Sequence, residues 1–299
     1  MGSEHAEFVM RGNSSCAGCG AILILRQVAE AIGPNQIMVI PACCMGAVAG
    51  RFPSASFNVP VLRTAFASAG SFLSGLDASI KARGEKTTLV GFAGDGATVD
   101  IGLAVLSGAI ERGHDFVYVC YDNEGYMNTG FQRSGSTPPG ARTSTTPGGV
   151  LEHYKTEARK DIAKIVAAHG IPYLATASPA HPDDLKRKVK RAAEIEGPAF
   201  LHVISPCPLG WGFPSSQTVQ LARIAVESGL WKLYELDLGA LRLTQSPKNR
   251  KPVREFFSVQ SRFAHLTDDV YQRLQDAVDE EWKVIEEEGF SLRCETVRA

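Results

Sequence analysis

Two segments of the chain combine acids, amides and glycines directly after apolar runs, and these residue types suit a cation site. Gly94-Asp95-Gly96 follows one apolar run, and Asp122-Asn123 follows the next one along the chain. In an α/β fold, ligands collect at the edge of the sheet where parallel strands end. Asp95 offers a carboxylate, Asn123 an amide oxygen and Gly125 a backbone carbonyl, which are the ligand types that Mg²⁺ prefers. The spacing therefore predicts a magnesium site at this edge.

The glycines of the first segment add a feature of phosphate sites. Gly94 and Gly96 would let backbone amides approach a phosphate closely, and a helix that starts near Thr98 would favour negative charge. A Gly-Asp-Gly turn without any ligand is a common structural alternative. From these residues alone, both a magnesium-phosphate site and a plain turn stay open.

Four cysteines form a second candidate site. Cys16 and Cys19 lie in a Cys-x-x-Cys-Gly sequence at a predicted helix start, where thiolates are favoured. Cys44 and Cys207 each come after a predicted strand, so both can converge on the same sheet edge. Four thiolates suit either a 4Fe-4S cluster or a structural zinc ion. Because Cys207 is remote in sequence, the residues alone leave this site open.

Composition limits the function classes. The chain has 299 residues, of which 44% are hydrophobic and 21% charged, and its formal net charge is -1. This balance gives no reason to expect a nucleic acid or an anionic membrane as partner. No apolar run reaches membrane-spanning length, and the polar, acidic first ten residues do not resemble a secretory signal. The seven cysteines, an odd number, make a disulfide framework improbable.

The elements that must position these residues follow a strand-helix alternation without hairpin signals. Strands are predicted at residues 37–40, 87–92, 115–121, 173–176 and 198–205. Helices are predicted from Cys16 to about Ile32 and at residues 65–82, 101–112, 161–169, 182–196, 218–228 and 267–288. This order predicts an α/β fold with a doubly wound, mostly parallel sheet and a carboxyl-terminal helical extension. We expect residues 1–232 to form the α/β domain, and residues 233–299 to form an extension that packs on it or on a partner.

A long polar segment leaves directly from the predicted site. Residues 128–149 are rich in Ser, Thr, Pro and Gly and have almost no apolar content. Loops of this length inside a compact domain are usually functional or disordered. Its departure from the predicted site favours a functional loop. Arg133 and Arg142 within it are candidates for contacts to a substrate carboxylate or a coenzyme.

The two segments together resemble the thiamine-diphosphate motif of the 2-oxoacid:ferredoxin oxidoreductases. The resemblance is carried by Gly94-Asp95-Gly96 and by the run from Asp122 to Gly130, and it continues through Gln132-Arg133-Ser134 and Thr137-Pro138. It extends from Cys16 to the final helix and implies a fold of the thiamine-diphosphate-binding type. By position, it implies that Asp95, Asn123 and the Gly125 carbonyl hold a magnesium-diphosphate, with Gly94 and Gly96 beside it. Asn128 would lie near the reactive carbon and the substrate.

The same resemblance assigns the cysteines. It implies a 4Fe-4S cluster on Cys16, Cys19, Cys44 and Cys207, with Cys44 also close to the organic cofactor. The family pattern has one ligand where this chain has Cys43 and Cys44, and Cys44 is the better match. Cys120 is expected to be buried in the core as a packing residue, and Cys294 has no evident partner.

The activity implied by the resemblance is oxidative decarboxylation of a 2-oxoacid, with pyruvate expected first. The acyl group would pass to coenzyme A and the electrons to ferredoxin. An alpha-type subunit would complete the active site with an activating glutamate, and gamma and ferredoxin-like delta subunits would complete a cytoplasmic complex. Alternatives are 2-oxoisovalerate, an aryl 2-oxoacid, 2-oxoglutarate or oxalate as substrate. A more distant alternative is a non-catalytic, zinc-stabilised scaffold.

Overall fold

The computed structural model describes residues 7–51, 53–146 and 154–292. Within them, eight strands form one sheet: β1 (Gln36–Pro41), β2 (Val61–Thr64), β3 (Thr88–Gly94), β4 (Phe116–Asp122), β5 (Tyr173–Ala177), β6 (Pro198–Ile204), β7 (Leu233–Asp237) and β8 (Ala240–Gln245). The strand order is β2-β1-β3-β4-β6-β5-β7-β8. The six strands β1–β6 are parallel, and β7 and β8 are antiparallel additions at one edge. This sheet confirms the prediction of a mostly parallel α/β fold.

The helices of the described residues are α1 (Gly20–Ile32), α2 (Cys44–Val48), α3 (Ala69–Arg83), α4 (Leu103–Glu111), α5 (Ile162–Ala167), α6 (Pro182–Glu194), α7 (Pro208–Trp211), α8 (Thr218–Glu227), α9 (Arg254–Phe257) and α10 (Asp268–Glu288). No helix in the described ranges is long and apolar enough to cross a membrane.

Helices cover both faces of the sheet because side chains alternate along each strand. On β3, Val90 and Phe92 belong to a core shared with α1 and α6, whereas Leu89 and Ala93 belong to a core shared with α3, α4 and α5. All four side chains are at most 3% exposed. Burial on both faces explains why β3 and β4 are apolar throughout rather than alternating in polarity.

The strand order creates a topological switch point at the centre of the sheet. After β1 the chain moves outward to β2, whereas after β3 it moves in the opposite direction to β4. The loops that leave the carboxyl ends of β1 and β3 therefore diverge and open a crevice, where ligands bind in folds of this type. Asp95 follows β3 and Cys44 follows β1, so both lie at this crevice.

The first turn after β3 departs from the predicted helix. A wider, π-type turn spans Gly96–Asp100, and α4 begins only at Leu103. The junction between this turn and α4 requires glycine at position 102, because a Cβ atom there would lie 1.9 Å from the Ala97 carbonyl oxygen. The wide turn brings the polar side chain of Asp100 next to the candidate site.

Three short strands, β2, β7 and β8, were not predicted from the sequence. The prediction of no hairpin is wrong, because β7 and β8 form one around Leu238 and Gly239, whose φ angles are 48° and 87°. Two positive φ values are normally signalled by Asn-Gly or Asp-Gly, and a leucine in the first position gives no such signal. The edge strand β2 lies in a segment for which no strand or helix was predicted. The boundary expected at residue 232 lies directly before β7, which joins the same sheet.

The final helix α10 packs against a separate aromatic cluster. Trp282 is fully buried, and its Nε1 donates a hydrogen bond of 3.0 Å to the Gly229 carbonyl oxygen. Tyr271 and Val278 enter the same core, which also contains Trp211. The carboxyl-terminal helix is therefore attached to the α/β body through one face.

Replacing Trp282 by alanine should lower the free energy of unfolding by about 3–5 kcal/mol, because it removes a large buried side chain and a hydrogen bond. Replacing the neighbouring, exposed Lys283 by alanine should change it by less than about 0.5 kcal/mol. Urea unfolding followed by circular dichroism measures both variants. Equal effects of the two substitutions would contradict the described packing of α10.

Candidate functional site

A cavity of about 330 Å³ lies at the carboxyl ends of the strands around the switch point. It is lined by residues that follow β1 (Ala42, Cys43, Cys44 and Ala47), by Arg63 and Phe66, by residues that follow β3 (Gly94, Asp95, Gly96 and Ala97), and by Tyr121, Asn123, Gly125, Tyr126, Met127, Asn128 and Thr129. The structure thus brings the proposed diphosphate residues, Asn128 and Cys44 to one cavity. Its volume is at the lower end of the range for small-molecule sites.

Three oxygen ligands can converge at the floor of this cavity. One terminal atom of the Asn123 amide lies 2.8 Å from the Gly125 carbonyl oxygen and 2.9 Å from Asp95 Oδ1. With the amide oxygen in that position, three oxygens face each other and a cation would stabilise them. If the Asn123 amide is rotated by 180°, its NH₂ group donates hydrogen bonds to the Gly125 carbonyl oxygen and to Asp95 Oδ1. Neighbouring ligands of an octahedral Mg²⁺ are about 2.9 Å apart, so the residues present fit this ion.

The Asp95 carboxylate is held in place from its other side. Ser134 Oγ donates a 2.5 Å hydrogen bond to Asp95 Oδ2, and both side chains are buried. Burial, followed by the negative charge of Asp122, raises the pKa of Asp95 well above its usual range. A bound divalent cation reverses this effect by favouring the ionised form. The nearby negative charges of Asp95 and Asp122 therefore favour the binding of a cation.

The glycines leave room that a side chain would fill. A Cβ atom at Gly96 would lie 2.4 Å from the ring of Tyr126, and one at Gly94 would lie 3.3 Å from the ring of Tyr121. Tyr126 is fixed by a 2.9 Å hydrogen bond from its hydroxyl to Asp100. Only glycine at position 96 keeps this backbone in contact with the cavity.

A buried network of charges lies beneath the second segment. Asp122 Oδ2 accepts hydrogen bonds of 2.9 Å from Arg159 and 2.7 Å from His202. Glu124 pairs with Arg159 at 3.2 Å and with Arg262 at 2.6 Å. Burial acts to raise the pKa of Asp122, but the hydrogen bond with His202 and the charge of Arg159 outweigh it and hold that pKa below its usual range. The negative charges of Asp122 and Glu124 are thus balanced by the positive charges of Arg159 and Arg262.

This network fixes the backbone from which Asn123 projects. Glu124 has a φ angle of 63°, which is strained for a residue with a side chain. Its carbonyl oxygen accepts a 2.7 Å hydrogen bond from Thr137, and Trp211 donates one of 2.7 Å to the Asn123 carbonyl oxygen. The guanidinium of Arg262 covers the Trp211 ring at 4.1 Å. Residues from three distant parts of the chain therefore hold one turn.

The four cysteines of the predicted cluster lie near one another. The thiols of Cys16, Cys19 and Cys207 are close enough to Cys44 that the charge of each contributes to raising its pKa. Burial raises the pKa of Cys44 to about 12 and that of Cys207 to about 11. In the described ranges, no three His, Cys, Asp or Glu side chains are arranged as ligands of one metal ion. The donor set has the type and number that a 4Fe-4S cluster requires.

Backbone contacts explain why the two halves of the cysteine set meet. The Gly20 amide donates to the Pro206 carbonyl oxygen at 3.2 Å, and Thr218 Oγ1 donates to the Gly18 carbonyl oxygen at 2.5 Å. Gly18 has a φ angle of 70°, and a Cβ atom there would lie 2.2 Å from the Ser215 carbonyl oxygen. The glycine between Cys16 and Cys19 is thus required for the close approach to the loop after Cys207.

Cys43 and Cys44 have different neighbours although they are adjacent. Cys43 accepts a hydrogen bond of 3.5 Å from the Gly46 amide and interacts with Tyr121 and Gly94. Cys44 interacts instead with the thiols of Cys16, Cys19 and Cys207. Both residues line the cavity. The chain therefore passes directly from the cavity to the cysteine set within one peptide unit.

Other candidates from the sequence lie outside the cavity. Arg133 pairs with the exposed Glu157 at 3.3 Å, and the Arg142 amide donates to the Arg262 carbonyl oxygen at 3.0 Å. Cys120 is buried in the core, as expected. Cys294 and the last residues of the polar loop lie outside the described residues.

Sequence reasoning missed several residues of the site. Ser134, Arg159, His202 and Arg262 hold the acids, and Arg63 lines the cavity. His202 lies within β6, and its position inside a strand gives no sign of a role in the site. A signal existed only for Ser134, which belongs to the run that resembles the family motif. Arg262 is separated from Glu124 by 138 positions, and nothing local marks it.

Comparisons with known proteins identify the family of this chain. Residues 44–203 match the model of the thiamine pyrophosphate enzymes, C-terminal TPP binding domain. The chain is 46% identical over 280 residues to the pyruvate synthase subunit PorB of Methanothermobacter marburgensis, covering 93% of this chain and 97% of the relative. It is 47% identical over 280 residues to the ketoisovalerate oxidoreductase subunit VorB of Pyrococcus horikoshii, covering 91% and 90% of the two chains.

A solved structure shows a similar fold. It is a 2-oxoglutarate:ferredoxin oxidoreductase from Magnetococcus marinus with 2-oxoglutarate, coenzyme A and succinyl-CoA bound. The TM-score is 0.59 at 20% identity, and the alignment covers 89% of this chain and 94% of that one. The family resemblance of the sequence is confirmed by the extent of the similarity to PorB and VorB. This chain belongs to the thiamine-pyrophosphate-dependent 2-oxoacid oxidoreductases, among the subunits of the PorB and VorB type.

Proposed function

We propose that this chain binds magnesium and thiamine diphosphate and carries out the oxidative decarboxylation of a 2-oxoacid within a multi-subunit complex. The observation that supports this most directly is that one Asn123 amide atom lies 2.8 Å from the Gly125 carbonyl oxygen and 2.9 Å from Asp95 Oδ1 in the lining of a cavity. This donor set and spacing match magnesium, and the glycines beside it leave space for a diphosphate. Membership of the family supports the same cofactor.

Each residue of the site has a separate task in this proposal. Asp95, Asn123 and the Gly125 carbonyl hold the metal, and Gly94 and Gly96 allow the backbone to approach the phosphates. Ser134 keeps Asp95 oriented through the 2.5 Å hydrogen bond. Asn128 lies on the cavity wall with an exposed amide, where it can orient the substrate. When bound, thiamine diphosphate supplies the electron sink that decarboxylation of a 2-oxoacid requires.

We propose further that Cys16, Cys19, Cys44 and Cys207 hold a 4Fe-4S cluster. Oxidation of the substrate releases electrons that need an acceptor, and such a cluster takes them one at a time. Cys43 interacts with Gly94, next to Asp95, and Cys44 is the adjacent residue. This adjacency supports a position of the acceptor close to the cavity. The acyl group would pass to coenzyme A, and ferredoxin would receive the electrons.

The proposal requires other subunits. Relatives with near-equal length are named as subunits of their enzymes, which supports an assembly. An alpha-type subunit would complete the cavity and supply the activating glutamate, and gamma and ferredoxin-like delta subunits would complete the electron path.

Pyruvate is the proposed substrate, and 2-oxoisovalerate is the second candidate. Sequence identity does not distinguish between these two substrates, because the PorB and VorB relatives are 46% and 47% identical to this chain. The cavity of about 330 Å³ is bordered by Phe66, Tyr126 and Met127 and must hold part of the cofactor as well. The limited space favours the smaller of the two acids.

Replacing Asp95 by asparagine should weaken the binding of thiamine diphosphate in the presence of Mg²⁺ by about 100-fold or more, because it removes the charged metal ligand. Ser134→Ala should weaken it by roughly 10-fold, as expected for a residue that orients a ligand. Calorimetric titration of the complete complex, freed of cofactor, measures both. Asp161→Asn, an exposed helix cap that asparagine can replace, serves as the control. Wild-type affinity in Asp95→Asn would contradict the proposed metal site.

Serine substitutions at Cys16, Cys19, Cys44 and Cys207 should each lower the iron and acid-labile sulfide content of anaerobically purified complex, because serine is a poor cluster ligand. Cys43→Ser should retain both, since Cys43 interacts with Tyr121 and the Gly46 amide rather than with Cys16, Cys19 or Cys207. Iron and sulfide are measured on this chain after it has been separated from the other subunits, so that a cluster on a ferredoxin-like subunit does not contribute. Zinc without sulfide in the wild-type chain would favour the non-catalytic scaffold instead.

Steady-state kinetics of the complete complex should give a kcat/KM for pyruvate at least about 10-fold above that for 2-oxoisovalerate, since extra methyl groups in a confined site are discriminated to this extent. Both acids are compared with coenzyme A at saturation. The reverse preference would replace pyruvate by the branched acid as substrate and leave the assigned chemistry unchanged.

A further inference from the structure

Arg63 is the cationic side chain among the described residues that line the cavity. It lies on the edge strand β2, paired with Ile40 of β1, and it lines the same cavity as Cys43 and Cys44, which follow β1. The remaining lining residues are apolar, neutral polar or, in Asp95, acidic. An anion that enters the cavity therefore meets one positively charged side chain in the described part of this chain.

The guanidinium of Arg63 is largely without protein partners in the described ranges. Its Nη1 donates one hydrogen bond of 3.3 Å to the Gly50 carbonyl oxygen, and no carboxylate lies within 4.0 Å among those residues. Arg159 and Arg262, by contrast, are both paired with acids. A guanidinium has five N–H donors in a planar fork that matches a carboxylate or a phosphate. Most of the donors of Arg63 are thus available.

The position of Arg63 separates it from the proposed diphosphate. β2 and β3 are separated by β1 in the sheet, so their backbones are roughly 10 Å apart. The diphosphate is proposed to bind at Asp95 and Asn123, beyond the end of β3 and β4. Arg63 instead faces the part of the cavity formed by the residues that follow β1. That part is available to the reactants.

We propose that Arg63 binds an anionic oxygen group of a reactant, either the carboxylate of the 2-oxoacid or a phosphate of coenzyme A. This inference rests on the proposed function, which supplies both reactants. The chemistry is the same in the two cases: a charge-assisted pair of hydrogen bonds from the guanidinium to two oxygens. Arg63 takes the role that the sequence analysis considered for Arg133 and Arg142, neither of which lines the cavity.

The test compares Arg63→Gln and Arg63→Lys with the wild type in the complete complex. Loss of a hydrogen bond to a charged group should raise the KM for the affected reactant by roughly 10- to 100-fold in Arg63→Gln, with a smaller change in kcat. Arg63→Lys should recover part of this loss because it retains the charge. The affinity for thiamine diphosphate should stay within about twofold, since Arg63 lies away from the diphosphate.

Three reactants distinguish the source of the anion. A higher KM for pyruvate, with that for coenzyme A unchanged, assigns Arg63 to the carboxylate. A higher KM for coenzyme A, with that for pantetheine unchanged, assigns it to a phosphate, because pantetheine has none. Arg223→Gln removes an exposed arginine of α8 that does not line the cavity, and should leave all constants unchanged.

Unchanged KM values for pyruvate and coenzyme A in Arg63→Gln would overturn the inference. A fall in kcat alone would also overturn it, as would a loss of thiamine diphosphate affinity alone. These outcomes are distinct from failure of the proposed function, in which the wild-type complex itself would neither bind thiamine diphosphate nor turn over a 2-oxoacid.

Discussion

The candidate site depends on the buried ion network between Asp122, Glu124, Arg159 and Arg262. Asp122, Glu124 and Arg262 are buried, and Arg159 is partly exposed. Burying charges is costly unless each is paired, and removing one partner leaves another uncompensated. Here the pairs are short, and His202 satisfies the remaining side of Asp122. The network keeps the backbone after β4 in a strained turn and thereby positions Asn123. Without it, the amide oxygen would not stay near Asp95.

The same network explains why the carboxyl-terminal region belongs to the site although it lies far from the motif in sequence. Arg262 reaches Glu124 and covers Trp211, whose indole holds the Asn123 carbonyl oxygen. The aromatic cluster around Trp211 also receives α10 through Trp282. The final helix is thus connected through packing contacts to the residues proposed as metal ligands, and no residue that lines the cavity comes from that helix.

The fold and the cavity residues could be predicted because short runs of neighbouring residues encode them. Apolar runs before Gly94 and Asp122 indicated the central strands, and their polar ends indicated the sheet edge. Arg262 and Arg159 could not be predicted, because their partners are chosen by the tertiary fold and not by neighbours in sequence. The hairpin of β7 and β8 was missed because Leu238 occupies a position where glycine or asparagine is the usual signal. Cys207 was assigned through the family resemblance, and spacing alone left it open.

The central claim is that a 2-oxoacid bound at this chain delivers electrons to a cluster held by the same chain. Visible absorbance of the complete, anaerobic complex tests it when a 2-oxoacid is added in the absence of an external electron acceptor. The account predicts that the cluster absorbance bleaches with the substrate and stays unchanged without it, and that Asp95→Asn abolishes the bleaching while the cluster is retained. Full cluster absorbance after addition of every 2-oxoacid, in a complex loaded with thiamine diphosphate, would contradict it.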